Sequence, residues 1–257
     1  MSGLNLLRGG RAVADPRLEV IDRRLARVKK IIAVSSGKGG VGKSVVATTL
    51  ALNLNQRGYK VGLFDLNFTS PSTHLILGVE NLMPEEEKGI IPPLAYGLRY
   101  MSIVYYTVDH PAPLRGAEIS NAIIELLAIT QWGELDYLVV DMPPGISDAA
   151  LDMIRLMRAV KFLLVTTPSI VAFETVRKLI AMLQSLKVPV LGVVENMAMN
   201  PSRLVREKVE KLGVHFVGVI NYDEELEQTF GNVERLLRTR FAEAVRMIAS
   251  NVEQRSL

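Results

Sequence analysis

Four glycines set around two lysines, Gly37-Lys38-Gly39-Gly40-Val41-Gly42-Lys43-Ser44, are where the residue types and spacing of this chain most plainly offer chemistry. Gly37, Gly39, Gly40 and Gly42 let successive backbone N–H groups turn inward on a polyphosphate, and a helix opening at the end of the loop adds the partial positive charge of its N-terminus. Lys43 is expected to bring a point charge to the β and γ oxygens of a nucleotide, and the Ser44 hydroxyl to ligate Mg²⁺. Val41 and Val45 complete the expected binding loop. Such a site also needs carboxylates at the ends of neighbouring strands. Asp141 follows the apolar run Tyr137-Leu138-Val139-Val140, and Asp65 follows Val61–Phe64. Both are expected to reach the metal through water.

These groups need a frame. Ile31–Ser35 leads into the glycine loop and the helical run Val45–Asn53 leads out, the strand, loop and helix order of a P-loop. Further β-branched runs at Val61–Phe64, Arg99–Ile103, Tyr137–Val140, Phe162–Thr166, Val190–Val194 and His215–Val219 alternate with helical patterns. They are apolar on both faces, which predicts an α/β fold with a mostly parallel layered sheet and helices on either side. Pro143-Pro144-Gly145 should make a sharp, phosphate-sensitive turn, with Asp148 capping the next helix. Ahead of the core, Asp15 and Pro16 open a helix with Leu18, Ile21, Leu25 and Val28 at helical spacing. The expected division is an N-terminal extension over 1–29 and a single P-loop domain over 30–257. Residues 79–94 are expected to form a long mobile loop, and 233–252 a packing helix.

Composition removes several alternatives. The 257 residues carry a formal charge of +3, with a basic cluster in the first thirty interleaved with Asp15, Glu19 and Asp22. That pattern reads as a solvated helix face, and no nucleic-acid partner is expected. Cysteine is absent, so there are no disulfides, thiolate ligands or cysteine nucleophiles. His74, His110 and His215 are poor material for a soft-metal site. No apolar run approaches the length of a membrane span and no signal peptide is visible. A cytoplasmic protein without stable membrane association is expected.

The glycine loop, with its additional Lys38, resembles the deviant Walker A of the Mrp/MinD/nitrogenase-iron-protein class. Asp65–Ser72 (DLNFTSPS), Leu114-Arg115-Gly116, Trp132–Pro144 (WGELDYLVVDMPP) and Gly192–Met197 (GVVENM) are similar to motifs of the Mrp branch, in their usual order. The resemblance implies an ATPase with ATP/ADP and Mg²⁺ as cofactors. It implies a homodimer closing on ATP, with Lys38 reaching the partner's phosphates and Asn196 reading the adenine edge. Three departures stand out. The stretch 198–206 lacks the Cys-x-x-Cys of cluster-carrying relatives. Asn67 stands where relatives place an aspartate thought to activate water, which implies either slow hydrolysis, unless Asp65 or Asp148 positions the water, or a mere structural variant. Asn221 replaces a proline that commonly flanks the adenine. Among cysteine-free relatives the chain resembles archaeal ATPase-type HypB, implying nickel delivery to nickel–iron hydrogenase with the small metallochaperone HypA. The favoured docking segment is N-terminal, through Leu4, Leu6, Leu7, Leu18, Ile21 and Leu25, although packing of these residues onto the sheet is equally compatible with the pattern. Two alternatives remain: iron–sulfur cluster assembly with a cysteine-bearing partner, and a non-catalytic scaffold locked by ATP.

Overall fold

The computed structural model describes residues 15–68, 70–79, 82–107, 117–146, 148–199 and 203–256. In chain order the elements are α1 (Pro16–Leu25), β1 (Val28–Ser36), α2 (Lys43–Gln56), β2 (Val61–Asp65), α3 (Thr73–Leu77), β3 (Glu85–Glu86), β4 (Ile90–Ile91), β5 (Leu94–Ala95) and β6 (Leu98–Ser102). They continue with α4 (Val104–Thr107), α5 (Ala117–Ile129), β7 (Leu135–Asp141), α6 (Asp148–Leu156), β8 (Val160–Thr166), α7 (Ile170–Ser185), β9 (Val190–Ala198) and α8 (Arg203–Lys211). Last come β10 (Phe216–Asn221), a 3₁₀ turn (Leu226–Thr229), α9 (Val233–Leu237) and α10 (Arg240–Ser256). Each run expected to be a strand is one, and the α/β fold is the one expected. Residues 1–14, the motif Leu114-Arg115-Gly116, His110 and the Asp148 side chain lie outside what is described.

Eight strands form one sheet in the order β10-β9-β8-β1-β7-β2-β6-β5. All neighbours are parallel except β5 against β6. The two-sided apolar character of the strands is explained by β1. Ile31 and Ala33 enter the core beneath α1, α5, α6, α7 and α8, whereas Ile32 and Val34 enter the core beneath α2, α3, α9 and α10. Burying each such branched side chain contributes about 1.5–3 kcal/mol, so slipping the strand by one residue is strongly opposed. Helix α2 is buried around most of its circumference, Thr48, Thr49 and Asn53 included, because the sheet covers one side and α10 the other.

Three expectations change. The chain before β1 is a docked helix. Asp15 caps α1 by accepting a hydrogen bond from the Arg17 N–H at 3.0 Å, and Ile21 is buried in the core with Leu18 and Leu25 packed against it. Leu18, Ile21 and Leu25, offered above to a partner, are thus used internally, beside α5, while Leu4, Leu6 and Leu7 lie outside the described residues; Val28 is the first residue of β1. Within 79–94, β3 and β4 make a pinned hairpin. Arg24 of α1 donates to the Lys88 carbonyl at 3.1 Å, and the Gln131 N–H donates to the Ile90 carbonyl at 2.7 Å. The C-terminal helix is two helices, because the Thr239 hydroxyl accepts from the Ala242 N–H at 3.0 Å and starts α10 afresh. Phe241, Val245, Ile248 and Val252 of α10 are buried, as a packing helix requires. No helix among the described residues is long and apolar enough to cross a membrane.

Candidate functional site

The carboxyl ends of β1, β2, β7, β8 and β9 meet at one edge of the sheet, and the glycine loop sits there between β1 and α2. Gly40 and Gly42 have φ of 76° and 78°, backbone that a side chain disfavours. A Cβ at Gly37 would collide with Thr175 of α7, so its small size is needed for contact. The Ser36 hydroxyl donates to the Lys38 carbonyl at 2.9 Å. Gly145 of the Pro143-Pro144-Gly145 turn donates its N–H to the Ser36 carbonyl at 2.8 Å, tying that turn to the loop.

Register then brings the charged residues together. Asp141 of β7 lies beside Val34 of β1 and Asp65 of β2. Lys43 ion-pairs with Asp141 Oδ1, and its Nζ also lies 3.2 Å from Ser44 Oγ. Both members of the pair are buried. Burial pushes the Asp141 carboxyl up to about 6, opposed by Lys43 and reinforced by Asp65. The other oxygen, Oδ2, is buried without a hydrogen-bond partner. An orphaned carboxylate oxygen near a serine hydroxyl is a donor set suited to Mg²⁺.

Asp65 is differently engaged. Its Oδ1 accepts from the Asn67 N–H at 3.0 Å, and its Oδ2 accepts from Ser72 N–H, Thr73 N–H and Thr73 Oγ1 at 3.3, 3.2 and 2.7 Å. The carboxylate expected to reach a metal through water therefore organises the 65–73 loop and the start of α3. Burial raises its pKa, with the Thr73 hydroxyl bond the largest opposing influence. Asn67 closes the same loop, its Nδ2 donating to the Ser70 carbonyl at 2.9 Å. A carboxylate there would face that carbonyl with no proton to share. Asn67→Asp is therefore expected to raise turnover less than about tenfold, well short of the roughly 10²–10⁴ a working general base supplies. Phosphate release on the purified variant checks this, and a larger rise would show that water activation is what Asn67 lacks.

Asn196 is buried at the end of β9 and donates through Nδ2 to the Val41 carbonyl at 2.9 Å. The residue expected to read a base thus lies against the glycine loop. Lys38 lines a groove of about 490 Å³ with Gly40, Val41, Pro168, Met197 and Met199. A larger cleft of about 810 Å³ opens at Asn221, lined by Tyr222, Asp223, Arg235, Arg238 and Arg240 among others. Sequence reasoning named Asn221 but missed the arginines, whose only signal was three bases close together at a helix junction.

Glu195, next to Asn196, is fully buried and neither carboxylate oxygen has a hydrogen-bond partner. Burial raises its pKa above the ordinary range. The folded state then holds the proton more tightly than the unfolded chain, so this residue subtracts stability as pH rises through those values. Glu195→Gln is expected to be more stable than the parent at pH 8 by about 1–3 kcal/mol, the gap closing towards pH 5. Urea unfolding at the two pH values checks it; equal midpoints at pH 8 would mean the carboxylate is solvated.

A parallel strand, a glycine loop and a helix whose first lysine pairs with an aspartate at the end of the adjacent strand define a P-loop NTPase. A family model described as ParA, the NUBPL iron-transfer P-loop NTPase, matches residues 27–253, and the chain belongs to that family. It is 42% identical over 180 residues to the iron–sulfur cluster carrier protein of Aquifex aeolicus, covering 68% of this chain and 50% of that protein. It is 44% identical over 176 residues to the one from Escherichia coli K12, covering 67% and 48%. The chain thus spans about half the length of these curated relatives. Among solved structures, an ADP-bound nucleotide-binding protein from Archaeoglobus fulgidus superposes with a TM-score of 0.73 at 33% identity, covering 86% of this chain and 93% of that one. The Pyrococcus furiosus cell division ATPase MinD shares the fold, with a TM-score of 0.66 at 23% identity over 88% and 99% of the two chains. These likenesses bear out the Mrp/MinD-type assignment and give the narrower HypB likeness no support.

Proposed function

We propose that this chain is an ATP-binding and hydrolysing homodimeric switch that serves iron–sulfur cluster assembly with a cysteine-bearing partner. The observation that carries the nucleotide half is the buried Lys43–Asp141 pair beside Ser44 at the mouth of the glycine loop. In this reading the loop amides and Lys43 hold the phosphates, Ser44 and Asp141 hold Mg²⁺, and Lys38 serves the partner subunit's nucleotide. The cleft beyond Asn221 takes the base. Asp65 and Asn67 shape the loop that responds to the γ-phosphate. We retain residues 1–29 as an extension by sequence, although α1 packs on the domain that follows.

Support for iron over nickel comes from the relatives, which are named iron–sulfur cluster carriers. Absence of cysteine fits either metal, because clusters are held by thiolates and these must then come from a partner. Internal packing of Leu18, Ile21 and Leu25 also weakens the case for a HypA-like partner docking on α1. One observation favours the scaffold reading instead: the Asn67 amide is committed to its own loop. Capture of native partners in Mg-ATP and Mg-ADP tests the proposal. Nucleotide-dependent recovery of cysteine-rich iron–sulfur proteins is expected, and recovery of a nickel chaperone alone would overturn it. Absence of measurable phosphate release would leave the scaffold.

A further inference from the structure

The end of β9 makes an unusual contact with the glycine loop. Asn196 is 2% exposed, and one N–H of its amide is committed to the Val41 carbonyl. In a trans peptide the C=O and the following N–H point in opposite directions, so holding the Val41 carbonyl fixes where the Gly42 N–H aims. That direction is away from Asn196. Gly42 is also the residue from which α2 starts, with φ of 78° and no side chain to cap the helix. A Cβ at Gly42 would occupy the place of the Asn196 amide. The following residue, Met197, adopts a left-handed φ of 58°, which costs a non-glycine residue about 1–2 kcal/mol. Its Cε lies 3.4 Å from the same Cβ position. Two backbone irregularities, in segments far apart in sequence, thus interlock through one buried amide.

We infer that Asn196 is a positioning residue for the P-loop, setting the Val41–Gly42 peptide and so the phosphate-binding geometry for any nucleotide, whatever its base. This rests on the proposal that the loop holds phosphates, and it assigns Asn196 a role other than reading adenine. A base reader would be needed only when a base is present, whereas a loop brace acts on bare polyphosphate as well.

The test compares the parent with Asn196→Ala and Asn196→Ser, using Mg-ATP, Mg-GTP and Mg-pyrophosphate as competitors of a fluorescent nucleotide. Asn196→Ala is expected to weaken all three about five- to tenfold, the value of one hydrogen bond, with the ATP to GTP ratio unchanged. Asn196→Ser keeps a donor and should recover part of the loss for all three. A loss confined to Mg-ATP, with pyrophosphate unmoved, overturns the inference. If the parent fails to bind Mg-ATP, the nucleotide reading itself fails. If Asn196→Ala does not fold, the serine variant decides: equal weakening across the three ligands supports the brace, and selective weakening of ATP overturns it.

Discussion

Lys43→Met is expected to abolish Mg-ATP turnover and to destabilise the fold by about 3–5 kcal/mol, the cost of leaving one member of a buried ion pair unpaired. Among the described residues Lys43 is the one cation that lowers the Asp141 carboxyl, and the neutral Ser44 hydroxyl beside it cannot replace that charge; Oδ2 has no hydrogen-bond partner. The double variant Lys43→Met with Asp141→Asn removes the orphaned charge and should regain most of the stability while remaining inactive. Urea unfolding of parent, single and double variants measures both. If Lys43→Met unfolds at the parent's urea concentration, water reaches Asp141 and the pair is not the closed element described here.

The second large effect concerns Lys38, whose carbonyl accepts from the Ser36 hydroxyl and which lines the open groove beside Met197 and Met199. Lys38→Ala should leave nucleotide affinity nearly intact and lower turnover about 10³-fold or more, as loss of a charge supplied across an interface does. Mixing supplies the decisive measurement. Combined with the stabilised Lys43→Met/Asp141→Asn chain, Lys38→Ala should regain activity towards roughly a quarter of the parent's. Half the dimers are then mixed, and each has one complete site. No recovery on mixing would mean that Lys38 acts within its own subunit.

How much of this was written locally differs from group to group. The strands and the glycine loop were legible because two-sided apolar runs and closely spaced glycines carry their meaning within ten residues. The cap of α1 was legible for the same reason: Asp15 and Pro16 are adjacent. The engagement of Asp65 was not, since whether a carboxylate faces a metal or its own loop depends on how residues 67–73 turn. Asn67 fits a missing base and a structural variant equally well in sequence, and in three dimensions it is a loop-closing donor. The 85–91 hairpin escaped notice because two-residue strands have no period to detect, and three glutamates mask Ile90 and Ile91. Packing of α1 on α5 and of Asn196 on Val41 are contacts between distant segments, which no local pattern encodes.

The placing of β1 at the centre of the sheet has a consequence for the order in which the molecule is made. Ile31 pairs with Leu138 of β7 and with Val160 of β8, and Val41 waits for Asn196, 155 residues further on. At about 5–20 residues per second, a ribosome that has made the glycine loop needs roughly 8–30 s more to reach its last support. During that interval α2, buried on nearly every side in the finished fold, gains its sheet strand by strand and still lacks α10 to cover it. Non-local pairing of this kind is slow to nucleate and prone to association while incomplete. The cell's yield of active protein should therefore depend on what shields the first half of the chain during its own synthesis.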